Sequence, residues 1–270
     1  MKLVILDRDG VINHDSDNYI RSAEEWVPIP GSLEAIARLH REGYKIIVAT
    51  NQSGVGRGLF DMDTLGRIHA LDPDAVGLGD LGKKEDYLPR QLKRWYGQWG
   101  KSKTRELPLI DELHEQLQAR IPEQGPAAIV HGDYRLDNCM TDDDGNIVAV
   151  LDWELCTLGD PLADVGLLMV YWTEAADATP MLLTAPTAQD GFLTRVEVLE
   201  RYAEVTGRDL SQIDYYTAFG YWKLACIVEG VYARYVGGSM GSNDPAAFEG
   251  FKVQVDRCAE AAAEAMERLG

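Results

Sequence analysis

HGDYRLDN, His131 to Asn138, together with VLDWE, Val150 to Glu154, is the stretch from which the fold of this chain is read. Apolar runs lead into both pieces, residues 127–130 before the first and residues 147–151 before the second. The segment DDDGN, Asp142 to Asn146, joins them, and an Asp-Gly between apolar runs signals a hairpin. Such a hairpin carries Asp133, Asn138 and Asp152 to one end of the structure. These residue types suit phosphoryl transfer: one carboxylate orients a hydroxyl, while a carboxamide and a second carboxylate hold magnesium. The bland alternative is an acidic hairpin that merely solvates a turn. It explains an isolated His-x-Asp, but not the step from Asp133 to Asn138 followed by Asp152.

With 270 residues the chain can form one large domain or two small ones and bury a core. Apolar residues make up 46% and charged residues 26%, as in ordinary globular proteins. The net charge of -18 makes nucleic acid and anionic membrane poor partners, and an acidic chain that handles phosphates needs a metal ion to offset repulsion. Cys139, Cys156, Cys226 and Cys258 form no CxxC pair and read as reduced thiols of a cytoplasmic protein. Met1-Lys2 leads into a short apolar run stopped by Asp7, so no signal peptide is expected. The longest helical stretch, residues 211–235, is interrupted by Asp214, Lys223, Glu229 and Arg234, so no membrane span is expected either.

Residues 3–6 read as a strand ending in Asp7-Arg8-Asp9-Gly10. A helix over residues 32–41 follows, and a second strand over 44–49 ends in Thr50-Asn51-Gln52-Ser53-Gly54. Strand, helix, strand at this spacing is a βαβ unit with both loops at one sheet edge. LDRDGVIN and VATNQSGVGRG resemble the haloacid dehalogenase-like phosphatases, in particular those acting on heptose bisphosphate. The resemblance implies that Asp7 is the nucleophile and a magnesium ligand and that Asp9 is the general acid. It also implies that Thr50 and Asn51 bind phosphate and that Arg57 contacts substrate. The likeness stops near Arg67, short of the lysine, late acidic motif and cysteine loop of complete members. Gly79-Asp80, Glu85, Asp86 and the lysines Lys83 and Lys84 imitate those features by coincidence.

From Leu65 onward, HGDYRLDN…VLDWELCTLGDPLADVG resembles the aminoglycoside phosphotransferase and choline kinase-like family. It is similar above all to the phosphotransferases found beside, or fused to, acyl-CoA dehydrogenases, and VGLGDLGKKEDYLPRQLKRWYGQW extends the likeness. The resemblance implies an α+β fold: a mostly helical, protein kinase-like C-lobe with a catalytic β-hairpin, preceded here by the βαβ phosphatase fragment. The domains would be 1–67 and 68–270. By the same resemblance Asp133 orients and deprotonates the acceptor, and Asn138 and Asp152 hold Mg2+. Asp160 and Asp164 brace the catalytic loop, and ATP is the co-substrate; His131 reads as a further brace, because the strand before it buries it and Asp133 is the better base. The acceptor would be a small-molecule hydroxyl compound, a hydroxy-acid or hydroxyacyl group ahead of an aminoglycoside. Trp153, Tyr171, Trp172 and Trp222 either line its pocket or fill core, and His69 reads as an ordinary helix residue.

Complete members begin with a β-rich nucleotide-gripping lobe, and here the phosphatase fragment occupies that space. The leading expectation is therefore an ATP-dependent phosphotransferase by lineage, weak or inactive. The alternatives are a phosphomonoesterase driven by Asp7 and Asp9, and a non-catalytic chimeric remnant. A two-strand parallel unit has two apolar faces and one helix to cover them, so Leu3, Ile5, Ile46 and Val48 need a partner surface. Docking on the helical lobe, or pairing of two chains as a homodimer, would supply it.

Overall fold

The computed structural model describes residues 2–7, 11–12, 14, 27–49, 62–141, 147–177, 185–189, 191–238 and 248–269. Two compact units divide the chain, Met1–Val55 and Gly56–Gly270.

In the first unit β1 (Lys2–Asp7) and β2 (Tyr44–Ala49) run parallel, with register from Lys2 opposite Tyr44 to Asp7 opposite Ala49. The crossover is α1 (Ser32–Arg41), set off by Gly31 and Gly43 at φ 85° and 83°, a backbone region that glycine enters without a Cβ penalty. Ser32 Oγ donates to the Ile12 carbonyl at 2.7 Å, and Ile29 N–H to the same carbonyl at 2.8 Å. None of the residues of α1 is buried, and Leu33 stands 46% exposed.

The second unit is chiefly helical. Its helices are α2 (Met62–Ala70), α3 (Tyr87–Ser102), α4 (Pro108–Ala119), α5 (Leu162–Tyr171), α6 (Arg195–Thr206), α7 (Ile213–Val236) and α8 (Glu249–Arg268). Leu88, Leu92, Trp95 and Trp99 recur at helical spacing on α3, and all four are buried. Proline in the first turn starts α4, and a capping box of Thr194 and Glu197 starts α6, which ends at Gly207 at φ 66°. α7 is buried on most of its sides and is the central post. A Cβ on Gly166 would overlap the Tyr216 backbone, so α5 meets α7 at backbone distance.

Two apolar clusters result. One joins α3, α4, α7 and α8 through Leu92, Trp99, Leu113, Phe219, Trp222 and Ala259. The other joins α2, α5 and α6 through Met62, Leu65, Leu168, Trp172, Val198 and Tyr202. Each large side chain so buried contributes about 1.5–3 kcal/mol. α2 is one continuous helix inside this cluster, and the change of resemblance expected near Arg67 falls within it.

The strands of this unit correct the expected hairpin. Residues 127–130 do not pair with residues 147–151: β3 (Ala128–Val130) pairs antiparallel with β6 (Thr157–Gly159). The hairpin partner of β5 (Ile147–Val150) is β4 (Cys139–Thr141). The reason is local. Gly132 at φ 88° turns the chain away from β3, and a 3₁₀ turn at Leu136–Asn138 delays the next extended residues until Cys139.

Candidate active site

The HGDYRLDN segment leaves β3 and is bent at Gly132. A Cβ there would lie 2.9 Å from both the Leu155 Cβ and its carbonyl oxygen, so both the bend and the space demand glycine. The N–H groups of His131 and Gly132 donate to the two Asp164 carboxylate oxygens at 2.7 and 2.8 Å. His69 Nε2 stands 3.2 Å from the same carboxylate, and its Nδ1 is 2.7 Å from the Tyr202 hydroxyl. Burial alone would push the Asp164 carboxyl up, but His69 and the two backbone donors outweigh it and hold the group below its ordinary value. Asp160 is also buried; it accepts from Tyr216 Oη at 2.7 Å and Leu162 N at 3.1 Å, yet burial prevails and raises its pKa.

His131 itself is fully buried and links the two halves of the motif. Its Nδ1 accepts from Asp133 N–H at 3.2 Å while Nε2 donates to the Leu151 carbonyl at 2.7 Å, an arrangement that fixes the tautomer. Leu151 N–H in turn donates to the Asn138 carbonyl at 2.7 Å. Asn138 Nδ2 donates to the Asp133 carbonyl at 2.8 Å and to its carboxylate at 3.1 Å. Asp133 and Asn138 are thus brought into contact, and Asp152 follows directly on Leu151, the residue bonded to both His131 and Asn138. Asp152 is exposed and left-handed at φ 62°, ψ 55°, a conformation that costs a non-glycine residue of order 1 kcal/mol or more. Trp153 packs its ring 4.6 Å from the His131 ring.

Asp133 is flanked on its far side by Tyr171 and Arg135. Tyr171 Oη donates to Asp133 Oδ1 at 3.3 Å, and the Arg135 guanidinium lies 5.1 Å above the Tyr171 ring, with Nε 3.7 Å from Asp133 Oδ2. Beyond them lies a small hollow bordered by Arg135, Asp137, Leu168, Tyr171, Trp172 and Thr187. Of the aromatic candidates, Tyr171 and Trp172 border this hollow, Trp222 sits in core and Trp153 is 40% exposed.

The oxygens available to a metal ion are Asn138 Oδ1 and the Asp152 carboxylate, neither of which has a hydrogen-bond partner among the described residues. Two hard oxygen donors fit Mg2+, which takes one or two protein ligands and completes its shell with water and phosphate oxygens. No cluster of three His, Cys, Asp or Glu side chains suited to a metal occurs among the described residues.

The phosphatase-like candidates stand apart from this arrangement in sequence. Asp7 closes β1 opposite Ala49, the residue that precedes Thr50 in the sequence. The Asp7 side chain, and Asp9, Thr50, Asn51 and Arg57 entirely, lie outside the described residues. Lys83 pairs with Asp86 and Lys84 with Asp74, all on the surface of the second unit.

Sequence reasoning gave no role to Lys223 or Arg135 and treated His69 as ordinary. The structure buries His69 against Asp164, and it buries Lys223 with its Nζ 2.6 Å from the Gly132 carbonyl. A lysine between Trp222 and Leu224, the one charged residue of the stretch 215–228, was the available signal.

Comparison with known proteins finds relatives for both parts of the chain. In its N-terminal region the chain is similar to the D-glycero-β-D-manno-heptose-1,7-bisphosphate 7-phosphatase of Pseudomonas putida, 63% identical over 70 residues, 26% of this chain and 40% of that protein. Mouse acyl-CoA dehydrogenase family member 10 is 35% identical over 183 residues, 65% of this chain but 17% of that protein. The chain therefore spans less than half the length of either relative. A solved structure described as an aminoglycoside phosphotransferase, from Ralstonia eutropha, superposes with TM-score 0.65 at 32% identity, covering 77% of this chain and 63% of the other. The choline kinase of Cryptosporidium parvum shares the fold at 13% identity and TM-score 0.51. Among the described residues no helix is long and apolar enough to cross a membrane. Residues 62–204 match the phosphotransferase enzyme family, and the chain belongs to it.

Proposed function

We propose that the second unit transfers the γ-phosphoryl group of ATP to the hydroxyl of a small molecule. The observation that carries the reading is the Asn138 side chain. Its amide holds the Asp133 carboxylate at 3.1 Å, and its backbone carbonyl is bonded to Leu151, next to Asp152. In this reading Asp133 Oδ1 accepts the acceptor hydroxyl and takes its proton as the oxygen attacks phosphorus, displacing the contact now made by Tyr171. Asn138 Oδ1 and Asp152 hold Mg2+, which offsets the phosphate charge when bound. The small hollow beyond Tyr171 and Arg135 marks the side from which the acceptor would approach, and its Leu168 and Trp172 walls with Arg135 at the rim suit a hydroxy-acid or hydroxyacyl group. In the sequence, the first unit takes the place of the nucleotide lobe that family members carry, so turnover should be slow, because positioning supplies most of the catalysis in this chemistry. Transfer of radiolabel from γ-labelled ATP to a panel of hydroxy-acids, lost in Asp133→Asn, tests the reading.

A second reading is favoured by the 63% identity of the opening residues to a phosphatase. There Asp7 attacks a phosphomonoester and Asp9 protonates the leaving oxygen. Nucleotide-independent phosphate release that vanishes in Asp7→Asn would support it. Release that persists would remove it.

A further inference from the structure

Lys223 is the buried lysine of α7, 5% exposed, and nothing in the reaction proposed above employs it. Its surroundings are unusual for an ammonium group. Nζ donates to the Gly132 carbonyl at 2.6 Å and lies 5.5 Å from the centre of the Trp95 ring on α3. Asp164 and Asp133 are the carboxylates whose charges act on it. Burial outweighs both and pushes its pKa down, so the fold bears a desolvation cost to keep this amine where it is.

The Gly132 carbonyl belongs to the peptide that leads into Asp133. Gly132 is left-handed at φ 88°, and its N–H is held by Asp164 of α5 at 2.8 Å. Lys223 of α7 therefore grips the other end of the same residue. One hydrogen bond on the N–H and one on the carbonyl fix the direction in which the following Cα–Cβ bond leaves the chain. Asp133 takes its aim from that bond: without Lys223 the Gly132–Asp133 peptide is held only at its other end, through the longer 3.2 Å bond from the Asp133 N–H to His131 Nδ1, and the carboxylate gains freedom to swing relative to Asn138 and Tyr171. An apolar residue of equal length would fill the space without the desolvation cost, so packing alone gives no reason for lysine here.

We propose that Lys223 is a positioning residue for Asp133, acting through the Gly132 carbonyl. The proposal rests on the phosphotransferase reading for its catalytic consequence, but the tether itself is measurable without turnover. Lys223→Met keeps the length and removes the donor. We expect it to melt close to the wild type, because the lost hydrogen bond is offset by removal of a buried charge. Amide exchange at Gly132 and Asp133 should accelerate roughly tenfold or more, while Ala128–Val130 keep their protection. Lys223→Gln, which retains a donor, should fall between the two, and it serves as the comparison if the methionine variant does not fold. Unchanged exchange at Gly132 and Asp133 in both variants overturns the tether. In the transfer assay, kcat should drop on the order of 10²-fold with KM for ATP and acceptor little altered, as expected when a reacting group is misaligned. A rise in KM at constant kcat would assign Lys223 to substrate binding and refute the proposal. If the wild type transfers no phosphoryl group, the phosphotransferase reading fails and the catalytic sense of the proposal falls with it. The exchange data then still decide whether the tether exists.

Discussion

The HGDYRLDN loop of the second unit and the α1 crossover of the first both connect strands, yet they are held in opposite ways. Between β3 and β4, helices α2, α5 and α7 each send a buried polar side chain to the loop or its support: His69, Asp164 and Lys223. On α1 no residue is buried, and its described hydrogen bonds to the rest of its unit run through Ser32 and the turn before it. The lesson is that a functional loop is only as rigid as the elements that cross behind it. The second unit carries its own supports, whereas the first has strands and a crossover helix but little core among its described residues.

The strongest way to break this comparison is to remove the centre of the loop's support. Asp164→Ala strands two backbone N–H groups and His69 in a fully buried place, which costs about 3–5 kcal/mol. At ~2–4 °C per kcal/mol for a unit of this size, the melting temperature should fall by roughly 10 °C in calorimetry. A shift of a degree or two would mean that the loop does not depend on α5. Asp133→Asn, by contrast, alters a group only partly buried and should leave the melt unchanged. There the expected loss is in rate, about 10²–10⁴-fold in label transfer.

Acid titration sharpens the same contrast. Asp164 has a folded pKa below its unfolded one, so its stabilisation is present above the ordinary carboxylate range and is lost as the pH falls through the folded value. Asp160 has the opposite sign, since its raised pKa makes protonation favour the fold. Comparing the wild type with Asp164→Asn isolates the first effect. The wild type should lose stability on acidification below about pH 4 more steeply than the variant, as read from denaturant midpoints at each pH. Parallel curves would remove Asp164 as the source.

How much of this could be read beforehand depends on sequence distance. Asp133 and Asn138 are five positions apart, so their contact was visible as spacing. The bond from Lys223 to Gly132 spans 91 positions and that from His69 to Asp164 spans 95, and no local periodicity encodes either. Helices with a clear apolar stripe, such as α1 and α3, were legible to within a few residues. The strand pairing was not, because 128–130, 139–141, 147–150 and 157–159 are all runs of three or four residues, too short to carry a pairing signal. Which of them pair is decided by the Gly132 bend and the turn at 136–138 rather than by composition.

The smallest expected effect tests the other side of the comparison. Leu65 on α2 is completely buried, and Leu65→Ala should cost about 2–5 kcal/mol through lost burial and the cavity left behind. Ile36 on α1 also sits on its helix's apolar stripe but is only partly buried. Its side chain has less contact to lose and no enclosed space to leave empty, so Ile36→Ala should cost under about 1 kcal/mol. Amide exchange along residues 32–41 measures this local stability even where global unfolding is dominated by the second unit. A loss at Ile36 as large as that at Leu65 would show that the face of α1 is covered in solution, by another part of this chain or by a second copy. Sedimentation of the wild type at several concentrations would then separate the two, since only pairing of chains is lost on dilution.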